Sequence, residues 1–363
     1  MNRRFPLNLC LPLITALTFT PPLFGHDGEH VGDAPPDAKC ITELVLAGEG
    51  ADTYQSVPNW CQMPEGRKNL GATHGGVVVD KKGNIYFSMD GGPDAILVYG
   101  PDGKMIKGIG GEKLRQIHGM CLNEENGEEF IYGAHLGGRR VVKLKLDGTE
   151  VWSIPIPMES GKYHKLEQYS PTGVAVAPNG DVFVVDGYGQ NWVHQFDKNQ
   201  KYVKSFGGKG KEPGQFQTCH GIGLDTRGPK PLLLICDREN RRLQHFDLDG
   251  KFVAIVAENL RRPCSVSFHG DHVAIAELAG RVAILDGKNK LVSVLGDNPN
   301  PKQQANFNVA PADWKDGIFN APHGISYDHD GNLYVMDWNA SGRIGRMNKV
   351  GEKPQARVDL SGR

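Results

Sequence analysis

Three histidines, each followed by glycine, carry the strongest chemical signal in this chain: His118 in IHGM, His220 in CHGI and His323 in PHGI. They lie 102 and 103 residues apart. One such histidine alone would be read as packing an inner strand, but three at an even, long spacing imply a fold that returns each of them to one place. Three converging imidazoles with a position left open for water or substrate form the ligand set of a catalytic divalent metal. His74 and Cys264 fall on the same frame and are open as joining or competing ligands. Imidazole with an available thiolate favours zinc over calcium or magnesium, with copper and iron also admitted. Two further residues could act beside such a metal. Tyr188, in VDGYGQN, offers a phenolic oxygen that can accept a proton, and Arg238, in CDRENRRLQHF, offers a guanidinium fork for a carboxylate.

The elements that would gather these residues are short strands. Residues 219–253 read as HGIGLD, PLLLICD and RLQHFD, with a fourth run beginning at KFVAIV, joined by tight turns. The same frame starts at His74, His118, Thr172, His220, Cys264 and His323, at intervals of 44, 54, 48, 44 and 59 residues. A four-strand unit repeating at this period is the signature of a β-propeller blade, because one small sheet cannot bury both faces and must stack on neighbours around an axis. Six starts predict an all-β, six-bladed β-propeller over residues 66–360. The frame, above all DRENRRLQHFD and DGNLYVMD, resembles the NHL repeat over roughly residues 70–350. In such a ring the first strand of each blade lines the channel, so the histidines of blades two, four and six face one another at its mouth. The second strand returns antiparallel and brings Asp90, His135, Asp186, Tyr188, Asp237, Arg238, Glu277 and Asp337 to the same mouth. Most of those carboxylates are expected to hold turns by accepting backbone N–H bonds.

Taken together, IHGM at 117, VDGYGQN at 185, CHGI at 219, CDRENRRLQHF at 236 and PHGI at 322 resemble peptidyl-α-hydroxyglycine α-amidating lyase. That resemblance implies a six-bladed propeller with a central zinc on three histidines, cleaving a C-terminal α-hydroxyglycine to a peptide amide and glyoxylate. Carried over by motif, the zinc ligands would be His118, His220 and His323, Tyr188 the base that takes the hydroxyl proton, and Arg238 the group that binds the substrate carboxylate. The chain departs from the family pattern at four places. A second active-site arginine is replaced by Asp90, in Met89-Asp90-Gly91, where a carboxylate would repel a carboxylate substrate. Gly324 stands where the family has an acidic residue associated with a structural calcium, Gly189 where it has a cysteine, and His74 where it has a small or apolar residue.

The N-terminus carries Arg3 and Arg4 and then an apolar run from Leu9 to Phe19, which is too short to span a bilayer. Residues 1–25 therefore read as a signal peptide of an exported, secreted or periplasmic protein with no membrane anchor after its removal. Residues 26–65 read as a linker and a closing strand. ITELVLAGEG, 41–50, is the expected strand completing the last blade, with QARVDL, 355–360, as its competitor. Without residues 1–25 the chain keeps 39 basic against 42 acidic side chains, a net of −3 before histidine, which argues against a nucleic-acid partner. In an oxidising compartment Cys40 and Cys61 could pair, and so could Cys219 and Cys236. The expected partner is a small molecule or a peptide C-terminus. Two other function classes fit the same architecture. One is a non-catalytic propeller whose loops bind protein or glycan, and the other is a calcium-dependent hydrolase of lactonase type, which would need oxygen ligands at the mouth.

Overall fold

The structure is a computed structural model that describes residues 46–351. The expected signal peptide and the strand candidate at 355–360 lie outside the described residues. The chain forms six sheets around an axis. Blade one is β3 (Thr73–Val79), β4 (Ile85–Met89), β5 (Ile96–Tyr99) and β6 (Met105–Ile109); blade two is β7 (Ile117–Glu125), β8 (Glu128–His135), β9 (Arg140–Lys145) and β10 (Glu150–Ile154). Blade three is β11 (Gly173–Val176), β12 (Val182–Val185), β13 (Trp192–Phe196) and β14 (Tyr202–Gly207); blade four is β15 (Cys219–Asp225), β16 (Leu232–Asp237), β17 (Arg242–Phe246) and β18 (Phe252–Ala257). Blade five is β19 (Pro263–His269), β20 (His272–Glu277), β21 (Arg281–Leu285) and β22 (Leu291–Leu295). Blade six is β23 (Pro322–Tyr327), β24 (Leu333–Asp337) and β25 (Arg343–Lys349), completed by β2 (Tyr54–Ser56) with β1 (Leu46–Ala47) outside it. All pairings within the blades are antiparallel.

Ring closure differs from expectation by a few residues. The strand that pairs with β25 is Tyr54–Ser56, in the register Tyr54↔Lys349 to Ser56↔Met347, and only Leu46–Ala47 of the 41–50 run is paired, on the outer edge of β2. Tyr54 is fully buried between blades five and six, so the short YQS run supplies the anchoring side chain that the longer apolar run suggested.

Each sheet is apolar on both faces because each is covered twice. Six core clusters alternate with six blades: Ile131 and Val142 of blade two meet Val98 and Ile96 of blade one, Phe183 and Val185 of blade three meet Leu233 and Ile235 of blade four, and so on round the ring. This separates Cys219 from Cys236. Cys219 opposes Asp237 in register, so Cys236 points to the other face; one lies in the core shared with blade three, the other in that shared with blade five. Both are free thiols, as is Cys61, while Cys40 lies outside the described residues.

At the axis the glycine after each histidine has a steric purpose. A side chain at Gly119 would come closer than 3.0 Å to the Thr172 carbonyl of the next blade, one at Gly221 would do the same to Cys264, and one at Gly324 to Gly75. The same three carbonyls accept hydrogen bonds from His118 Nδ1 (2.7 Å), His220 Nδ1 (2.8 Å) and His323 Nδ1 (3.1 Å). The His-Gly pair thus clasps the neighbouring backbone: glycine lets it approach and histidine bonds it. Gly221→Ala should lower the unfolding free energy by about 1–3 kcal/mol through overpacking, read from urea unfolding. Gly345→Ala, where an added methyl meets nothing within 4 Å, is the control and should leave the midpoint near that of the wild type.

Candidate functional site

The mouth of the channel is built from strand starts and strand ends. His74, His118, His220 and His323 stand near the beginnings of β3, β7, β15 and β23 and are all buried. Ring centroids are 4.7 Å apart for His118 and His220, 4.8 Å for His220 and His323, and 4.6 Å for His118 and His323. His74 joins them at 4.7 Å from both His118 and His323. Because the Nδ1 atoms of His118, His220 and His323 face backbone oxygens, their Nε2 atoms are the ones directed to the axis. Donor atoms come within 4.8 Å of one another in two overlapping triads, His74 with His118 and His323, and His220 with Cys264 and His323.

Tyr188 and Arg238 reach the same place from the ends of second strands. Asp186, buried at the end of β12, accepts hydrogen bonds from the backbone N–H groups of Ser170 (2.6 Å) and Gln190 (2.7 Å) and from the Tyr163 hydroxyl (2.7 Å), which fixes the turn carrying Tyr188. Asp237 does the same for Arg238, accepting from Gln217 N, Asn240, Arg242 and Gln244. Asp337 accepts from the backbone of Asn320 and Ala321, and Glu277 from that of Arg261. These are the turn-holding roles expected of the carboxylates. His135 is also structural, its Nε2 lying 2.9 Å from the Arg115 carbonyl.

The Tyr188 hydroxyl is ringed by nitrogen. It lies 2.9 Å from His220 Nε2, 3.3 Å from His118 Nε2 and 3.3 Å from His74 Nε2, and it accepts a hydrogen bond from Arg238 at 3.2 Å. Enclosure pushes the phenol above its usual range, against the pull of the Arg238 guanidinium. Arg238 is buried, donates to Glu239 at 2.8 Å, and Glu239 is held in turn by Arg262. Trp338 closes one side, 5.9 Å from the His74 ring and packed on Phe307. The channel continues inward along the first strands past His118, His220 and His323 as a space of about 50 Å³, enough for water or an ion. A larger cavity of about 660 Å³, lined by Trp60, Trp314 and Arg343, contains none of these histidines.

One expectation changes here. Asp90 does not stand open toward a ligand: its carboxylate is almost wholly buried and lies 3.3 Å from His74 Nδ1. His74, open in the sequence as a joining or competing ligand, lies beside His118 and His323. Thr73 opposes Met89, and residues 74 and 90, one to either side of that antiparallel pair, meet through their side chains.

The NHL repeat matches residues 169–196, most of blade three. Rat (Rattus norvegicus) peptidylglycine alpha-amidating monooxygenase is 33% identical over 178 residues, 46% of this chain and 17% of that protein. A Caenorhabditis elegans protein named as a peptidyl-alpha-hydroxyglycine alpha-amidating lyase is 26% identical over 232 residues, 62% of this chain and 61% of that protein. The match therefore spans less than a fifth of the rat relative. Among solved structures, virginiamycin B lyase from Staphylococcus aureus superposes with a TM-score of 0.52 at 12% identity, covering 84% of this chain and 99% of that one, a likeness of fold. The class is that of six-bladed β-propellers, with one blade matching the NHL repeat. Within it, this chain is similar to the amidating lyases. No helix among the described residues is long and apolar enough to cross a membrane.

Burial gives a pH test of the site. It holds the imidazoles of His118, His220 and His323 well below the usual histidine value and that of His194 at about 3. The unfolded chain takes up these protons near pH ~6.5, so below that pH it binds more protons than the fold does and stability falls on acidification. Asp186, pushed up by burial to about 7, and Asp237 and Asp337, raised by the same cause, work in the opposite sense, against these four and the lowered His135 and His269. In chelator, the urea midpoint should be highest above pH ~6.5 and drop toward pH ~5. A midpoint that rises on acidification would contradict a ring of buried neutral imidazoles.

Proposed function

We propose that this protein is a metal-dependent carbon–nitrogen lyase that converts a peptidyl-α-hydroxyglycine into a peptide amide and glyoxylate, and that it works outside the cytoplasm after loss of residues 1–25. The observation that carries the reading is the meeting of imidazole Nε2 atoms and a guanidinium at one tyrosine hydroxyl. Similarity to proteins named for α-amidation points to the substrate class. His118, His220 and His323 would hold the metal, and their imidazole donors suit zinc, copper or iron, whereas calcium requires oxygen ligands. Bound there, the ion supplies Lewis-acid polarisation of a substrate hydroxyl.

The chain's own residues do the rest. Acting as the phenolate, against the enclosure that holds its phenol high, Tyr188 takes the proton from the hydroxyl oxygen and returns it to the departing amide nitrogen. The C–N bond breaks as the carbonyl of glyoxylate forms, so the proton lost by oxygen is the one gained by nitrogen. Arg238, hydrogen-bonded to the Tyr188 oxygen, is a buried positive charge that favours the phenolate and attracts the substrate carboxylate. Asp90 faces His74 Nδ1 and is almost wholly buried, so its carboxylate is turned to the imidazole and not laid open to a substrate.

The purified protein should release glyoxylate from a peptidyl-α-hydroxyglycine. Tyr188→Phe should slow the reaction by about 10² or more, and Arg238→Ala should raise KM for the same substrate. His220→Ala should lose most of the bound metal in elemental analysis. Wild-type protein that holds metal yet forms no glyoxylate would refute the lyase reading.

A further inference from the structure

We propose that His74, braced by Asp90, is a fourth imidazole ligand of the axial metal site, making it a four-histidine centre. This rests on the reading of the ring as a metal site and adds to the three ligands the sequence resemblance supplies. Three observations lead to it. The donor atom of His74 lies within 4.8 Å of those of His118 and His323, one of two such groupings among the described residues, the other being His220, Cys264 and His323. Its Nε2 lies the same 3.3 Å from the Tyr188 hydroxyl as that of His118, so the two rings aim at one point. Its Nδ1 faces an oxygen, as do those of the other three.

The identity of that oxygen matters. His118, His220 and His323 are fixed by backbone carbonyls of the next blade, but His74 has a carboxylate, Asp90 Oδ2, at 3.3 Å with both side chains buried. A carboxylate behind an imidazole fixes the tautomer, turns Nε2 toward the ion and raises its basicity, and it recurs behind metal-ligating histidines. His74 and Asp90 are both departures from the lyase pattern, and here they form one unit. Cys264 is the competing donor, near His220 and His323, but its sulfur is engaged with the Arg262 carbonyl at 3.7 Å.

The test uses the mature protein with Zn²⁺ and Co²⁺ as probes. Zn²⁺ affinity is measured against a competing chelator for the wild type, His74→Ala, Asp90→Asn and the double variant, and X-ray absorption defines the donors. His74→Ala should weaken Zn²⁺ binding at least about tenfold and reduce the imidazole scattering, and Asp90→Asn should weaken it by about 10–100-fold. The double variant should bind no more weakly than His74→Ala, because Asp90 acts through His74. Urea midpoints in chelator verify folding, and Asp90→Asn, nearly isosteric, serves if His74→Ala does not fold. Unchanged affinity in both single variants, or a sulfur shell near ~2.3 Å in the wild type, would overturn the assignment of His74 alone. A wild type that binds neither ion would overturn it together with the metal reading of the whole site.

Discussion

A backbone carbonyl seated where only glycine leaves room is the contact on which this ring depends. At His118-Gly119, His220-Gly221 and His323-Gly324 the missing side chain lets the next blade close in, and the imidazole takes up the carbonyl that has come near. The arrangement satisfies a buried acceptor, which would otherwise be expensive to leave unbonded at the axis. It also decides which nitrogen each histidine presents. With Nδ1 committed to the backbone, Nε2 has one direction left. The packing of the ring and the chemistry of its mouth are consequences of the same dipeptide.

Two of the other three starts, Thr172 and Cys264, supply acceptors and, through Thr172 itself and through Ser265 next to Cys264, donors. Thr172 and Cys264 provide the carbonyls for His118 and His220, while the Thr172 hydroxyl bonds the Cys219 carbonyl and the Ser265 hydroxyl that of His323. Strain collects just ahead of these strands. Gln116, Thr218 and Arg262, each two residues before the axial side chain, have φ of 67°, 62° and 62°. That region is unusual for any non-glycine residue and most of all for a β-branched threonine. The turns that deliver the axial residues are held in this conformation by the hydrogen bonds around them, such as Asn191 Oδ1 accepting from Thr218 N at 2.5 Å.

Much of this was legible in the sequence. The spacing of six starts gave the number of blades, and the turn motifs after the second strands identified Tyr188 and Arg238 as mouth residues. What escaped was pairing between elements. Asp90 and His74 were each noticed as departures, yet their contact depends on register across β3 and β4, which residue types alone do not set. The apolar run at 41–50 reads as the closing strand because hydrophobicity is visible in a sequence, whereas Tyr54–Ser56 takes that place through the fit of one tyrosine into the core between blades five and six. Cys219 and Cys236 fall near the start of one strand and the end of its antiparallel neighbour, which admits a bridge, but the alternation of strand side chains sends them to opposite faces.

Closure through β2 gives the ring a seam. Its two sides, Tyr54–Ser56 and β25, are joined by three register pairs across nearly the full length of the described chain. Bringing ends that far apart together costs about 5 kcal/mol in loop-closure entropy, a charge that no other blade bears. Blade six is therefore the place where the circle would first part, and blade one is its neighbour. The axial residues straddle that boundary: His323 bonds the Gly75 carbonyl, and the His74 and His323 rings stand 4.7 Å apart. An ion shared by those two imidazoles would act as a rivet across the weakest joint, tying the mechanical integrity of the circle to the occupancy of its centre.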